Sequence, residues 1–547
     1  MKKVTMVCLI FAVAIIWGST FKTLAQERTL EPSEGFVNEV IYADTANGAQ
    51  LHNVYIFHRG ATYYFNGTIK NNSYAITLKA EDGSGPLPVI RNFPDGSGTL
   101  QKFIQSGDDA YLYNLYINGM GPDLTTMEPD PFYSMNGILV QAGASGKEFI
   151  VDGCILNNAG QTIIRSNSGA RKVLVTNTII ANSGQLSRDN IGNGRAIDFR
   201  NGITDTIIFR NCTMVNLYDR IFRHYGAAAN TATAYIDYIE MDHNTIVNNT
   251  GAYGFFFLGD ISGSVKITNN LFVNPMTLGV DTADHQRFAE VDAIGEMGDD
   301  GFPIFPLIID QPNTLYAPTF TMSNNVITYD QTVTDYMTTN GVKKAPVFTP
   351  RVAAMVTNAD NAFVETDYVS LKNVPPVMIE VMNWYRPHAL ESLGGGMITT
   401  ADVDMHRESI DYWLDTLDCS YTTDNSLFIG SDGSPVGSTV WNSTITDVDD
   451  VNTLPTEFTL SNNYPNPFNP STKIQFSLPV SSKVTLTVYN LLGQEIARLV
   501  DGELSAGSHS VDFNAAGLSS GVYVYRIKAV NGNGKDFIAS NKMTLLK

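Results

Sequence analysis

The repeated segment that decides the fold begins as VDGCILNN at residues 151–158 and returns as VTNTIIAN at 175–182. Further copies are FRNCTMVN at 209–216, MDHNTIVN at 241–248 and ITNNLFVN at 267–274, and consecutive copies start 24, 34, 32 and 26 residues apart. Irregular steps of this size, with β-branched residues and no helical period, indicate a parallel β-helix whose loops absorb the differences in length.

All five copies end in an asparagine: Asn158, Asn182, Asn216, Asn248 and Asn274. If the coils stack at strand spacing, these side-chain amides bond to one another along the axis, which makes them structural rather than catalytic. Cys154 and Cys212 fall in one column with Thr178 between them, roughly 9–10 Å apart, which is too far for a disulfide. Without a CxxC motif, we expect these cysteines and Cys419 to be buried free thiols.

The composition excludes some classes of partner. The chain has 547 residues and a formal net charge of −20, and only 16% of its residues are charged. Phosphate binding needs a basic surface, so nucleic acid is not an expected partner, and neither is an anionic membrane surface. A local basic groove for an acidic sugar remains compatible with the global charge.

The N-terminus has the organisation of a secretory signal peptide. A basic start at residues 1–3 precedes an apolar run over 4–17 and a small residue, Ala25, after which cleavage is expected. The alternative is a membrane anchor, but the run is shorter than the ~20 residues that cross a bilayer. We therefore predict a signal peptide over residues 1–25 and no membrane span after its removal.

A run of short alternating strands with turn residues between them occupies residues 458–547. Four strands are expected, at Lys473–Leu478, Lys483–Tyr489, His509–Phe513 and Val522–Lys528. A segment of this length and rhythm predicts a small antiparallel, immunoglobulin-like β-sandwich.

Several motifs of this region resemble the type A sorting domain of proteins exported by type IX secretion. They are YPNPFNP at 464–470, VYN at 488–490 with Gly493, SGVY at 520–523 and KMTLLK at 542–547. The resemblance implies a Gram-negative bacterium of the Bacteroidota or a relative, recognition by the type IX machinery, and release or attachment at the outer cell surface. The alternative is an unrelated immunoglobulin-like adhesion module.

Residues 36–442 resemble the pectate-lyase-like superfamily of right-handed parallel β-helices. The resemblance rests on the repeat and on opening coils near 59–67 and 75–79, with GSPVG at 433–437 as a closing coil. The pattern fades over 335–430, which we interpret as a partly helical insertion or lid containing a helix over Asp402–Leu417. Residues 443–457 are expected to be a linker, so the predicted fold class is all-β, a β-helix followed by a β-sandwich.

A short strand precedes each repeat, and its outward residue is the candidate site. Alignment of these strands by their last inward apolar residue puts Arg165, Arg200 and Arg223 in one column, with Gln141 before them and Leu258 after them. The planar guanidinium group suits carboxylates and sulfates. The column therefore predicts a groove for an acidic polysaccharide.

Resemblance to β-helix lyases that cleave uronic-acid polymers implies roles for these side chains. Arg200 and Arg223 are candidates for base and carboxylate binder in a β-elimination, and His224 or Asp198 could assist. Arg165, Arg195 and Arg220 are candidates for substrate binding. Alternatively the arginines form a solvated ion network with a set of carboxylates: Asp189, Asp198, Asp205 and Asp219.

Two functions stay open from the sequence. One is a secreted or surface-attached enzyme acting on extracellular polysaccharide, in its most specific form a uronic-acid lyase; the other is a non-catalytic glycan-binding or adhesin-like protein. A hydrolase with paired carboxylates is also compatible, because coils and not sequence spacing set carboxylate distances in a β-helix. The sequence does not identify a cofactor. Calcium is conceivable at Asp299–Asp300 or Asp447–Asp450, although neither group has EF-hand spacing.

Overall fold

In a computed structural model the chain divides into two compact units, with the boundary between residues 446 and 447. The described residues are 26–546 without 47–48, 123–136, 185–192, 226–232, 253, 283, 285–296, 299–303, 305, 311–314, 391–415, 442, 446–457, 464–465, 505–506 and 532–535. The signal peptide, most of the linker and most of the helix predicted at Asp402–Leu417 lie outside these residues and stay predictions.

The first unit is a parallel β-helix of three sheets, which confirms the predicted fold. Within the described residues, sheet 1 contains Glu27–Leu30, Val54–Phe57, Ile76–Ala80, Ala110–Tyr113, Glu148–Asp152, Ala170–Thr176, Thr204–Arg210, Ile236–Asp242, Ile261–Thr268 and Thr319–Ser323. Sheet 2 contains Thr62–Phe65, Val89–Asn92, Tyr116–Asn118, Ile155–Ala159, Ile179–Ser183, Thr213–Leu217, Thr245–Asn249, Leu271–Val273, Asn325–Thr328 and Phe363–Thr366. Sheet 3 contains Ile69–Lys70, Ile104–Gln105, Ile138–Gln141, Thr162–Ser166, Arg195–Arg200, Phe222–Tyr225, Phe256–Leu258 and Ile308–Asp310.

Each coil visits the three sheets in turn, so every strand pairs with the equivalent strand of the next coil. In the predicted repeat, the first residues end a strand of sheet 1 and the last residues form a strand of sheet 2. The inward side chains of successive coils stack into one continuous core, for example Val175 on Phe209 in sheet 1 and Ile180 on Met214 in sheet 2. One coil alone could not bury these faces, so the stack is the folding unit.

The predicted asparagine ladder is confirmed from Asn274 to Asn182, but its next member is Asn157 and not the predicted Asn158, which donates to Asn118 Oδ1 at 3.0 Å instead. Asn274 donates from Nδ2 to Asn248 Oδ1 at 3.0 Å, Asn248 to Asn216 and Asn216 to Asn182 at 3.4 Å each, and Asn182 to Asn157 at 2.8 Å. All five repeat asparagines have positive φ, between 54° and 64°, a conformation that asparagine tolerates better than most residues. The ladder satisfies buried amides at the bend from sheet 2 towards sheet 3.

A second ladder lies at the two-residue turn between sheets 1 and 2. Asn244 donates to Asn270 at 2.9 Å and Asn270 to Asn325 at 2.8 Å. Earlier coils carry Cys154 and Cys212 at this position, and both are buried free thiols, as is Cys419. The expectation of buried free thiols is confirmed for all three.

Both ends of the β-helix differ from the sequence-based boundaries. Sheet 1 begins at Glu27–Leu30, ahead of residue 36, and a short helix, Val37–Ala43, buries Val37 and Ile41 against the first coil. The last coil lies at 343–366, inside the region predicted to be an insertion. Phe348 bridges Ile308 of sheet 3, Val356 bridges Phe320 of sheet 1, and Phe363–Thr366 completes sheet 2.

Short helices lie in and around this last coil. Their bounds are Gln331–Asn340, Pro350–Met355, Ala359–Ala362 and Ile379–Leu390, and single 3₁₀ turns lie at Pro32–Glu34 and Ser426–Phe428. Minor strands pair Thr45–Ala46 with Ala49–Gln50 and Thr422–Thr423 with Thr444–Ile445. The region 335–430 is therefore partly helical, as predicted. Two of its helices, Pro350–Met355 and Ala359–Ala362, nevertheless belong to the last coil of the β-helix and not to an insertion.

The outer face of sheet 2 is apolar and covered by the chain that follows the last coil. Val215, Val247 and Leu271 pack against residues of the covering segment, which include Tyr421 and Phe428. Residues 429–441 then run lengthwise across several coils; we call them the strap. The prediction of a closing coil at 433–437 is wrong, because Gly437 N bonds to Asn269 O and Ser438 Oγ bonds to Asn211 O, two coils away.

His243 fastens the strap to the turn between sheets 1 and 2. Its ring lies 3.2 Å from Asp242 Oδ2, 3.1 Å from Ser434 Oγ and 3.4 Å from Asp432 Oδ1. Burial alone would lower the pKa of His243, but its hydrogen bonds to Asp242 and Asp432 raise the pKa to about 9. A raised folded-state pKa means that this contact stabilises the docked strap fully below the unfolded-state pKa of about 6.5 and is lost as pH rises through about 9.

We expect the strap to loosen between pH 7 and 10. Hydrogen exchange of the strap amides Val436 and Gly437, corrected for the intrinsic pH dependence, should accelerate in the wild-type protein over this range. In His243→Gln these amides should exchange faster already at pH 7 and show no further step. A matched substitution, His509→Gln in the second unit, should leave the strap unchanged. An identical step in His243→Gln would assign the transition to another group.

The second unit contains two antiparallel sheets. One is formed by Thr459–Leu460, Ser471–Leu478 and Gly507–Asn514, and the other by Glu495–Leu504, Ser482–Tyr489, Gly521–Asn531 and Asp536–Leu545. Alternate residues such as Ile474, Phe476, Leu486 and Ile527 face one another and form its core. All four predicted strands are confirmed, and the strands at 459–460, 495–504 and 536–545 are additional.

Candidate functional site

Sheet 3 presents a line of mostly polar side chains on its outer side, one from each coil. The strand register puts them in the order Lys70, Gln105, Gln141, Arg165, Asp198, Arg223 and Phe257. Adjacent coils are ~4.8 Å apart, so neighbouring side chains in the line are in reach of one another. We define the cationic face as Lys70, Lys102, Gln105, Gln141, Arg165, Asp198, Arg200 and Arg223.

The predicted column of three arginines is wrong at its middle position. Arg200 pairs with Tyr225, not with Arg223, and the residue between Arg165 and Arg223 is Asp198. The column therefore alternates Arg, Asp and Arg. A carboxylate at the central coil removes the like-charge repulsion that three stacked guanidinium groups would have.

Asp198 binds all three arginines of the predicted column. Arg165 donates from Nε at 3.1 Å and Arg200 from Nε at 2.9 Å, both to Oδ2. Arg223 donates from Nε to Oδ1 at 2.9 Å and from Nη2 to Oδ2 at 3.0 Å, a bidentate arrangement. Such forked, charge-assisted pairs are strong and fix the orientation of the guanidinium plane.

Asp198 and its three arginines, Arg165, Arg200 and Arg223, form a cluster that is buried except at Arg200. Asp198 is 0% exposed, whereas 33% of the Arg200 side chain is accessible. Burial would raise the pKa of Asp198, but the charge and hydrogen bonds of Arg223, with the charges of Arg195 and Arg165, hold the pKa well below its usual value. Burial lowers the pKa of Arg165 to about 10, against the attraction of Asp198. Asp198 and Arg165 are therefore ionised at neutral pH, and three guanidinium groups share one carboxylate.

The remaining two predicted arginines lie beside a second buried carboxylate. Arg195 Nε is 2.9 Å from Asp219 Oδ2, and Arg220 Nη1 is 3.7 Å from the same oxygen. Arg220 is 1% exposed and places its guanidinium 5.1 Å from the centre of the Phe257 ring, a cation–π contact. Burial lowers the pKa of Arg195 to about 9, although Asp219 opposes this shift.

Asp198 and Asp219 thus pair with arginines, as the alternative predicted, but both carboxylates are buried, whereas the alternative expected a solvated network. Asp205 is exposed, and Asp189 lies outside the described residues. The structure brings all seven predicted site residues into one region, since Arg195 also interacts electrostatically with Asp198 and Arg223. The roles assigned to them, catalytic or binding, stay predictions.

His224 is placed away from the outer surface. It follows the outward Arg223 and pairs with Phe199, so strand alternation directs its ring inward, and the residue is 1% exposed. Burial lowers the pKa of His224 to about 4, which keeps the ring neutral at physiological pH. A ligand on the cationic face cannot reach this ring, which makes it a poor candidate for an assisting acid or base.

Sequence reasoning missed the lysines that extend the cationic face towards the first coils. Lys70 is exposed, and the half-buried Lys102 donates from Nζ to Gln141 Oε1 at 2.8 Å. Burial lowers the pKa of Lys102, and the charges of Lys70 and Arg165 lower it further. The strands that carry Lys70 and Gln105 have only two residues each. In the sequence, such a strand shows only one apolar residue followed by one polar residue, which is too short a pattern to identify it.

Metal-ligating side chains are dispersed over the described part of the chain. There, His, Cys, Asp and Glu side chains form no group of three or more arranged to hold a metal ion. The calcium candidates at Asp299–Asp300 and Asp447–Asp450 lie outside that part. None of the helices in the same part has the length and hydropathy that a bilayer span requires.

Comparison with known proteins defines the second unit. Residues 462–539 match the family described as the secretion system C-terminal sorting domain. The curated proteins compared with this chain contain no match to it. The class is therefore an exported protein with a type IX sorting domain, which implies contact with the secretion machinery and either secretion or surface attachment. Within that class, this chain carries a parallel β-helix ahead of its sorting domain.

Proposed function

We propose that the β-helix binds an acidic extracellular polysaccharide along the cationic face and does not cleave it. The proposal rests on the difference in charge between the cationic face and the chain as a whole. The described residues of this face include five cationic side chains and one carboxylate, in a chain of net charge −20. A polyanion that reaches the protein outside the cell is attracted to this face and repelled by the rest of the surface.

The accessible part of the face suits binding better than catalysis. Lys70, Lys102, Gln141 and Arg200 offer donors to sugar carboxylates, sulfates and hydroxyls on four of five successive coils. A lyase needs an arginine or another base that can take a proton from the sugar ring. The two candidates for that base, Arg200 and Arg223, are both engaged with Asp198, and Arg223 is only 8% exposed.

The proposal also includes the export of the protein from the cell. Residues 1–25 act as a cleaved signal peptide, residues 443–457 link the two units, and the mature protein works outside the cell or on its surface. Sequencing the N-terminus of the exported protein tests the signal, with the mature chain starting at Gln26 as the expected result.

Binding should be lost when the accessible cations are neutralised. The triple variant Lys70→Gln, Lys102→Gln, Arg200→Gln should bind polygalacturonate, alginate or heparin about ten-fold or more weakly than wild type, since each lost charge-assisted contact costs about 1 kcal/mol or more. Wild-type affinity should also fall with added salt. Affinity electrophoresis in gels containing each polymer measures both effects, with dextran as the neutral polymer.

The matched control removes three cations from sheet 1: Lys79→Gln, Arg171→Gln and Lys172→Gln. It changes the net charge equally and should leave binding unchanged. Equal loss in both triple variants would assign binding to global charge and overturn the proposed face. A rise in ultraviolet absorbance from an unsaturated product on any polymer would replace the binding function with lyase activity.

A further inference from the structure

The sorting domain displays two leucines at the tip of a hairpin. The segment Asn490–Gln494 joins the antiparallel strands Ser482–Tyr489 and Glu495–Leu504. Leu491 is 71% exposed and Leu492 is 85% exposed, the two highest values among the exposed large apolar side chains of the described residues. We call these two residues the leucine tip.

The turn itself does not need leucine at these positions. Gly493 N donates to Asn490 O at 3.0 Å, and the Asn490 side chain accepts from Leu492 N and Gln494 N at 3.0 Å each. Asparagine at the first position and glycine at the fourth, with φ 78° at Gly493, close the turn. The two central residues contribute backbone only, so polar residues would form the same turn and expose less apolar surface.

The hairpin is held rigidly enough to act as a recognition element. Asn490 Nδ2 also donates to Gln494 Oε1 at 2.7 Å, so side chains as well as backbone fix the tip. A pre-ordered turn loses little conformational entropy when its side chains enter a pocket. Two adjacent, fully displayed leucines match the apolar anchors that dominate the energetics of protein interfaces.

We propose that the leucine tip inserts into an apolar pocket of a protein of the type IX machinery and that this contact commits the chain to export. The tip lies inside residues 462–539, the part of the chain that matches the sorting domain. Next to the tip, Arg498 bridges Glu495 at 3.1 Å and Asp501 at 2.9 Å, so two carboxylates surround one guanidinium. This acidic rim favours a protein pocket over an anionic lipid surface. The proposal is independent of the polysaccharide function.

The test is secretion of the full chain in a bacterium that carries a type IX system. Leu491→Ser with Leu492→Ser should lower the ratio of secreted or surface-exposed protein to protein retained in the periplasm by about ten-fold or more, because burial of each leucine is worth at least that factor in affinity. Two variants serve as controls. Leu491→Met with Leu492→Met keeps the tip apolar and should be exported normally, and Val480→Ser, which removes an apolar side chain that is 45% exposed elsewhere in the domain, should be exported normally too.

Direct contact is tested by a photoreactive side chain at position 492. It should crosslink to a protein of the export machinery, and the same group at position 480 should not. Normal export of the double serine variant would overturn the proposal. Binding of the wild-type chain, but not of the double serine variant, to phosphatidylglycerol vesicles would also overturn it, since the tip would then recognise lipid. Reduced export of both the serine and methionine variants would overturn it as well, since the effect would then come from side-chain shape in the fold.

Discussion

Asp198→Asn should lower the free energy of unfolding of the β-helix by about 3–5 kcal/mol, the usual cost of removing one partner from a buried ion pair. The carboxylate is 0% exposed and binds Arg165, Arg200 and Arg223. Asparagine keeps the size of the side chain but not its charge. The buried guanidinium groups of Arg165 and Arg223 would then lose the carboxylate that they share. Urea denaturation followed by circular dichroism measures the change.

Asp205→Asn is the matched control, because Asp205 is exposed on sheet 1, and it should change stability by no more than about 0.5 kcal/mol. A double-mutant cycle gives a second check. Arg165→Gln in the Asp198→Asn background should recover part of the loss, since it removes one uncompensated cation. If Asp198→Asn were as stable as wild type, the carboxylate would not hold the cluster, and an anion from solution could take its place.

The pH dependence of this cluster has a defined sign. Burial would raise the folded-state pKa of Asp198, but the arginines hold it well below its ordinary value of 3.8. A lowered carboxylate pKa gives stability that is present above the ordinary value and lost as pH falls towards the folded-state value. The difference between wild type and Asp198→Asn should therefore be constant from pH 5 to 8 and shrink only below about pH 4.

The position of Asp198 explains why the site was only partly predictable. Its strand contains two apolar residues, Ile197 and Phe199, that are two positions apart and therefore face the same side of the sheet. Either residue can be aligned with the inward residues of the neighbouring strands. A shift of two residues preserves the alternation of inward and outward residues, so the hydrophobic pattern cannot detect it. The structure aligns Ile197 with Ile164 and Phe222, whereas the sequence alignment used Phe199. Only the lengths of the neighbouring turns decide between these registers.

The stacking of the asparagine-ended segments, by contrast, was predictable, because the turn within each repeat leaves no choice of strand register. Each repeat crosses a two-residue turn, Asn177–Thr178 in one coil and Asn211–Cys212 in the next, in both cases between a sheet 1 strand of 7 residues and a sheet 2 strand of 5 residues. Left-handed backbone at Asn177 and Asn211 fixes the register on both sides of the turn. The last coil lacks this signature, because helices at Pro350–Met355 and Ala359–Ala362 occupy its corners. Its sequence pattern therefore favoured an insertion.

Removal of residues 447–547 should abolish transport across the outer membrane without unfolding the β-helix. The two parts of the chain form separate compact units, and each has its own core. The match to the sorting domain falls entirely within the removed residues. The truncated chain should accumulate in the periplasm, where fractionation and immunoblotting detect it. Its circular dichroism should keep the β signal of the coil stack.

A reciprocal fusion protein separates sorting from folding. Residues 443–547 fused to a soluble periplasmic protein should carry that protein out of the cell, and the same fusion with serine at positions 491 and 492 should not. If the truncated β-helix were exported at the wild-type level, the sorting signal would lie in the first unit. The assignment of the second unit as the sorting domain would then be wrong. Degradation of the truncated chain would instead mean that the β-helix depends on the second unit for stability. The fusion still tests sorting in that case, because its passenger folds without the β-helix.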